Sequence, residues 1–334
     1  MTRVAVIGGG AWGTALACVT CRAGNDTTLW ARNEAVVTSI NAGEGNHLYL
    51  KDVAVEPDIV ATSDMEAATA GADIALIAVP SQFVRNVTLR MAPSVATGTP
   101  IALCAKGVER TTGALMSEVL AETLPQAKIA VLSGPTFAQE VARNLPTAVT
   151  LAASDRMIGE RLATAIGVPH FRPYLSDDPI GAEIGGAVKN VLAIACGIVT
   201  SRKFGDNARA ALITRGLAEI VRLGLAKGAR AETLMGLSGL GDLTLTCNAM
   251  QSRNFSLGAA LGEGRHLNDI LKERNAVTEG VFSASSITAL ADRLGIEMPI
   301  CHAVDRIVNR DDAIDRVIAD LLSRPFAREQ QNPD

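Results

Sequence analysis

The sequence predicts an α/β N-terminal domain built on a mostly parallel sheet, followed by an all-α C-terminal domain. Three observations carry that expectation. Short β-branched apolar runs alternate with longer helical stretches through the first half, a glycine-rich turn follows the first run directly, and beyond about Pro179 the strand-like runs give way to long amphipathic stretches. Strands alternating with helical patterns read as βαβ units, because parallel neighbours need a long crossover between them.

Taken in order, the strand runs are VAVI at 4–7, TTLW at 27–30, IALIAV at 74–79, IALCA at 101–105 and IAVL at 129–132. Their apolar character suits strands covered on both faces. A further strand-like segment, FRPYL, precedes GAEIGGAVKN. Within that second stretch we place the domain boundary, giving a sheet domain over 1–184 and a helical domain over 185–334. In the helical half, Leu212, Gly216, Ile220, Leu223 and Lys227 recur at helical spacing over 207–227. The tail after Pro325 is polar, with Gln330, Gln331 and Asn332, and is expected to fray.

At 334 residues, 48% hydrophobic and 20% charged, the chain is long enough for two packed domains, since single cores stop growing at roughly 250–300 residues. A net charge of −4 with 3% aromatic residues argues against a dedicated nucleic-acid binder. The six cysteines form no paired framework, and no run of about 18 apolar residues marks a membrane span. MTRVAVIGGG has too short an apolar stretch for a secretory signal. A cytoplasmic address is therefore expected.

Gly8, Gly10 and Gly13 spell G-x-G-x-x-G directly after VAVI and directly before the apolar helical pattern AWGTALACVTC. In that context the motif marks a Rossmann domain: the first glycine permits the tight turn, the second lets backbone approach a pyrophosphate, and the third allows close helix-to-strand packing. The helix N-terminus then favours the anion. Near the end of the second strand an NAD-specific site offers an acidic residue to the ribose, whereas this chain offers LWARNE. Arg32 stands at the strand end and suits a 2′-phosphate by charge and donor fork. NADP(H) is thus the favoured cofactor, with NAD(H) also open because Glu34 lies two residues on.

Further motifs point to one family. GGGAWGTALA, LWAR, AVPSQ, CAKGVE, LSGPTFAQEVA, LPTAV, GGAVKNVLAIACGI, GDNARAALITRGLAEI, GLSGLGDLTLTC, QSRN, EGV and LLSRP together resemble bacterial-type glycerol-3-phosphate dehydrogenase [NAD(P)] from Val4 to about Pro325. The resemblance implies a Rossmann domain followed by a helical domain, a homodimer, and a site in the cleft between domains. It implies that Lys189 is the catalytic lysine, and that Lys106, Gly134, Thr136, Asp242, Ser252, Arg253 and Asn254 contact substrate. It likewise implies cofactor contacts from Ala11, Trp12, Arg32, Lys106, Ala138, Arg253, Val277 and Glu279. Three departures stand out: Ala11 replaces a common serine, Phe255 and Ser256 replace further arginines, and NAVTEG replaces a valine-rich version.

Reducing a ketone leaves a developing alkoxide that must be stabilised and protonated, and a lysine can do both. Lys189 sits in an apolar run where burial would lower its pKa, although snorkelling to water is the bland alternative. The Gly185–Gly186 pair beside it would permit close approach to a cofactor. Asp242, after Gly239 and Gly241 in a loop-like stretch, suits a carboxylate orienting a substrate hydroxyl or a lysine, and equally a turn aspartate. Arg253 between Ser252 and Asn254 suits a phosphate, and equally an exposed loop. Cys18 and Cys21 are spaced CxxC but read as helix core, and His47, His170, His266 and His302 lie far apart. Two other readings stay open: a hydroxyacid or ketopantoate-reductase type of dehydrogenase, and a dinucleotide-binding protein without turnover.

Overall fold

The computed structural model describes residues 1–274 and 278–325. Among them, eight strands form one sheet: β1 (Arg3–Ile7), β2 (Asp26–Trp30), β3 (Val60–Thr62), β4 (Ile74–Ile77), β5 (Pro100–Leu103), β6 (Lys128–Ser133), β7 (Thr147–Ala152) and β8 (Phe171–Ser176). They lie in the order β3-β2-β1-β4-β5-β6-β7-β8. The first six reproduce the doubly wound order of a Rossmann sheet, with its switch point between β1 and β4. All neighbours are parallel except β6 and β7, which run antiparallel. The expected runs at 74–79 and 101–105 end earlier than their apolar character implied, because their last residues already belong to the turns that face the site. Neither β3 nor β7 was anticipated as a strand.

Helices α1 (Ala11–Arg22), α2 (Glu34–Asn41), α3 (Met65–Thr69), α4 (Val84–Met91), α5 (Met116–Thr123), α6 (Ala138–Ala142) and α7 (Arg156–Ile166) belong to the sheet half. Alternation along β1 divides the packing: Val4 and Val6 enter one core with Leu16 and Leu29, while Ala5 and Ile7 enter the other with Ile77 and Leu103. Cys18 is buried on α1 and Cys21 half-buried, both as free thiols, in keeping with core packing.

Among the described residues the second half contains helices and no strand: α8 (Pro179–Ser201), α9 (Gly205–Ala226), α10 (Ala231–Leu234), α11 (Asp242–Cys247), α12 (Arg253–Gly262), α13 (Leu267–Lys272), α14 (Glu279–Leu294), α15 (Pro299–Asn309) and α16 (Ile314–Leu322). α9 starts two residues before the helical pattern expected at 207. α8 begins with Asp178 accepting from the Gly181 N–H at 2.9 Å and with Pro179 in the first turn, where no N–H is needed. Such a cap is worth about 1 kcal/mol. By length and composition α8 could cross a membrane, yet every residue from Gly181 to Ile198 is buried, with Val191, Leu192 and Ile194 at the centre of the helical core. The division expected between 184 and 185 falls inside this continuous helix.

Candidate active site

The carboxyl ends of β1, β4, β5 and β6 face the helical half, the edge at which open parallel sheets place ligands. At the end of β1, Gly8 has φ +130°, and a Cβ on it would lie 2.8 Å from the Ala78 carbonyl oxygen. A Cβ on Gly13 would lie 1.8 Å from the Gly8 carbonyl oxygen, so only glycine lets α1 sit this close to the turn. Gly10 differs: its Cβ position meets nothing within 4 Å. It is the N-cap of α1 and supplies no side-chain cap. The leading N–H groups of the helix are therefore left for an anion, and the turn fits the pyrophosphate of a dinucleotide.

Around that turn, Ala11 and Trp12 are half-buried in the first turn of α1, and the Trp12 indole N–H is buried without a partner. Arg32 is exposed just beyond β2, its guanidinium 5.9 Å from the centroid of the Phe83 ring in the turn after β4. Ala138 opens α6 and is half-buried.

The chemistry gathers where β5 and β6 meet α8 and α11. Lys106, beyond β5, donates from Nζ to Asp242 Oδ2 at 2.7 Å and to the Gly134 carbonyl oxygen at 3.0 Å. Thr136 donates to that same carbonyl at 3.2 Å. Lys189 on α8 donates to Asp242 Oδ1 at 2.5 Å and to Thr246 Oγ1 at 2.9 Å. One carboxylate, itself fully buried, thus holds both ammonium groups. An ammonium has three N–H donors. Each lysine spends two of them on these bonds, which leaves one apiece for a substrate oxygen.

Lys189 does not snorkel: its side chain is 7% exposed. Burial pulls its pKa from 10.5 down to about 8, Lys106 adds to the fall, and Asp242 opposes it. Asp242 is the first residue of α11 and follows a π-helical turn over Leu237–Gly241, where the sequence reads as a loop. Of its two expected roles, orienting lysines is the one the geometry displays. Thr246, one helical turn on, lies within GLSGLGDLTLTC, where the resemblance gives it no role; the signal that could have found it is the i, i+4 spacing from Asp242. The expected close approach at Gly185–Gly186 is to protein: a Cβ on Gly185 would lie 2.5 Å from the Ser238 carbonyl oxygen, and one on Gly186 would lie 2.8 Å from Ser133 Oγ.

Ser252 is buried as the N-cap of α12 and accepts from the Phe255 N–H at 3.2 Å. Asn254 is buried too, donating to Asn190 Oδ1 at 2.9 Å and accepting from the Gly280 N–H at 3.0 Å. Both side chains therefore build the wall that presents Arg253, which is exposed at the first position of α12. Glu279 opens α14 and accepts from the Ser81 N–H at 3.2 Å. Burial raises its pKa, against the fields of Arg253, Lys106 and Lys189, which places all four groups in one neighbourhood. Val277 lies outside the described residues. With two lysines and one arginine against Asp242 and Glu279, the centre suits an anionic substrate.

The N-terminal model of NAD-dependent glycerol-3-phosphate dehydrogenase matches residues 3–158, and the C-terminal model matches 178–319. A glycerol-3-phosphate dehydrogenase [NAD(P)+] of Parvibaculum lavamentivorans is 58% identical, with 98% of each chain covered. One from Rhodospirillum rubrum is 56% identical over 97% of this chain and 93% of its own. The crystal structure of glycerol-3-phosphate dehydrogenase from Coxiella burnetii superimposes with a TM-score of 0.93 at 42% identity, covering 97% of this chain and 99% of that one.

Proposed function

Given that the chain belongs to the NAD-dependent glycerol-3-phosphate dehydrogenase family, we propose that it interconverts dihydroxyacetone phosphate and glycerol 3-phosphate, with Lys189 passing the proton. The observation that carries this reading is the pair of lysines on one buried aspartate, at the carboxyl end of the sheet and beside the glycine turn. When bound, the nicotinamide supplies or takes up the hydride. Lys189 gives its free proton to the substrate oxygen during reduction and takes one back during oxidation, and its pKa near 8 suits both directions. Lys106, held to the Gly134 carbonyl as well as to Asp242, fixes substrate beside the nucleotide turn.

Arg253 holds the substrate phosphate in this reading, supported by its place at the lip of the centre. A charge-assisted hydrogen bond is worth about 1.5–3 kcal/mol. The parent is expected to reduce dihydroxyacetone phosphate far better than dihydroxyacetone in an NADPH-oxidation assay. Arg253→Ala should weaken use of the phosphorylated ketone by about tenfold or more, and Arg253→Lys should restore only part of it because an ammonium lacks the planar fork. Equal rates with the two ketones would overturn the substrate assignment, and an Arg253→Ala enzyme within twofold of the parent would overturn the role of the arginine.

We further read the cofactor as NADP(H) in preference to NAD(H), on the support of Arg32, exposed beyond β2 with no acidic residue at its own position. NADPH should give the higher kcat/KM, and Arg32→Ala should narrow the gap while leaving the NADH value nearly unchanged. An unaltered ratio in that variant would refute the assignment. The implied homodimer and cytoplasmic address belong to the same reading, supported by the family likeness and by six free cysteines, five of them buried. So does a role for the product as a precursor of glycerophospholipids.

A further inference from the structure

Between α2 and β3 the chain runs from 42 to 59 without a helix or strand. Connections longer than about 12–15 residues without regular structure are uncommon in compact domains and tend to be functional. Two of its anchors matter here. Leu50, 1% exposed, enters the core that also receives Leu16 of α1. Asn46, also 1% exposed, reaches the glycine turn: Nδ2 donates to the Gly9 carbonyl oxygen at 3.0 Å and to Thr14 Oγ1 at 2.8 Å, while Oδ1 accepts from the Tyr49 N–H at 3.2 Å. The amide orientation follows from chemistry, since a carbonyl oxygen only accepts and a backbone N–H only donates.

We propose that Asn46 is a positioning residue for the dinucleotide, acting through the Gly9–Gly10 peptide; this rests on the reading of the glycine turn as the cofactor site. A trans peptide is planar, with its C=O and N–H pointing opposite ways. By holding the Gly9 carbonyl, Asn46 aims the Gly10 N–H away from itself. A glycine-rich turn has no side chains to fix its peptide planes, and flexible planes must be ordered whenever a ligand binds. Asn46 does that ordering in advance. Its second N–H, to Thr14, ties the same amide to the first turn of α1, so turn and helix N-terminus present their N–H groups as one unit. On the other side a Cβ at Gly9 would lie 2.4 Å from Ala31 Cβ, so the turn is confined between the clamp and the end of β2.

The test is a fluorescence titration of the full-length protein with NADPH and with NADH, beside steady-state kinetics. Asn46→Ala should weaken both cofactors by about tenfold, equally because the clamp acts on the turn that meets the pyrophosphate common to both, while turnover at saturating cofactor falls much less. Thr14→Val, which removes one acceptor of the amide, should show a smaller loss of the same kind. Leu50→Ala loosens the same loop without touching the turn and should leave affinity closer to the parent. Gly10→Leu places a side chain in the open space before the turn and should abolish binding. Binding retained by Gly10→Leu would overturn the glycine-turn reading itself. Binding lost there but within twofold of the parent in folded Asn46→Ala, or an equal loss in Leu50→Ala, would overturn the clamp alone.

Discussion

Lys189→Met is expected to lose at least about a hundred- to ten-thousandfold in the rate of hydride transfer, because general acid assistance and oxyanion stabilisation leave with the same group. Ground-state binding should change much less, since the free proton of Lys189 matters most as the alkoxide forms. The informative partner is Lys106→Met. Both lysines touch Asp242, but Lys189 is deeply buried on α8, its pKa drawn down to about 8, whereas Lys106 sits on a loop and also holds the Gly134 carbonyl. Single-turnover measurements should show the larger loss in chemistry for Lys189→Met and the larger loss in binding for Lys106→Met. The opposite pattern would exchange the two roles.

Asp242→Asn is expected to be nearly as severe, by a different route. The amide keeps the shape but removes the charge that opposes the depression of the Lys189 pKa. Reduction needs the ammonium, so its rate should fall as pH rises through about 8 in the parent, and that fall should move to lower pH in the variant. Oxidation needs the neutral amine and should rise through the same midpoint. Asp242→Ala leaves two close cations without their carboxylate, and breaking a buried pair costs about 3–5 kcal/mol. A pH–rate profile for Asp242→Asn and a urea melt for Asp242→Ala read these effects. An unchanged midpoint in the first would remove Asp242 from control of Lys189.

Much of this was legible in the residues because the signals were local. Gly8, Gly10 and Gly13 could be assigned separate duties from spacing alone: Gly8 at φ +130° makes the tight turn and Gly13 admits the close packing of α1, while the Cβ position of Gly10 stands open. Strands buried on both faces announce themselves by unbroken apolar runs, as β1 and β4 do, while β3 is three residues long and partly exposed, too brief to register. Asp242 reads as a loop residue because Gly239 and Gly241 precede it, yet those glycines lie in a π-helical turn that leads into α11. Ser252 and Asn254 look like phosphate donors beside Arg253, and each also carries a structural bond that the sequence does not announce, Ser252 in the cap of α12 and Asn254 in a buried amide pair. Asn46 could not be found from sequence: its partners in the glycine turn and in α1 lie 37 and 32 residues away, and no spacing rule spans a loop.

The Asp242 bridge also bears on the order in which the molecule matures. Lys106 and Asp242 stand 136 positions apart, and Lys189 enters between them. As the chain leaves the ribosome the N-terminal half is complete first and starts to collapse, with Lys106 still hydrated at its edge. Only when α11 docks against α8 does the carboxylate arrive that lets both cations leave water. The reactive centre therefore cannot form from the first half alone, and catalytic competence reports that synthesis has run on past the sheet and that the two halves have found one another.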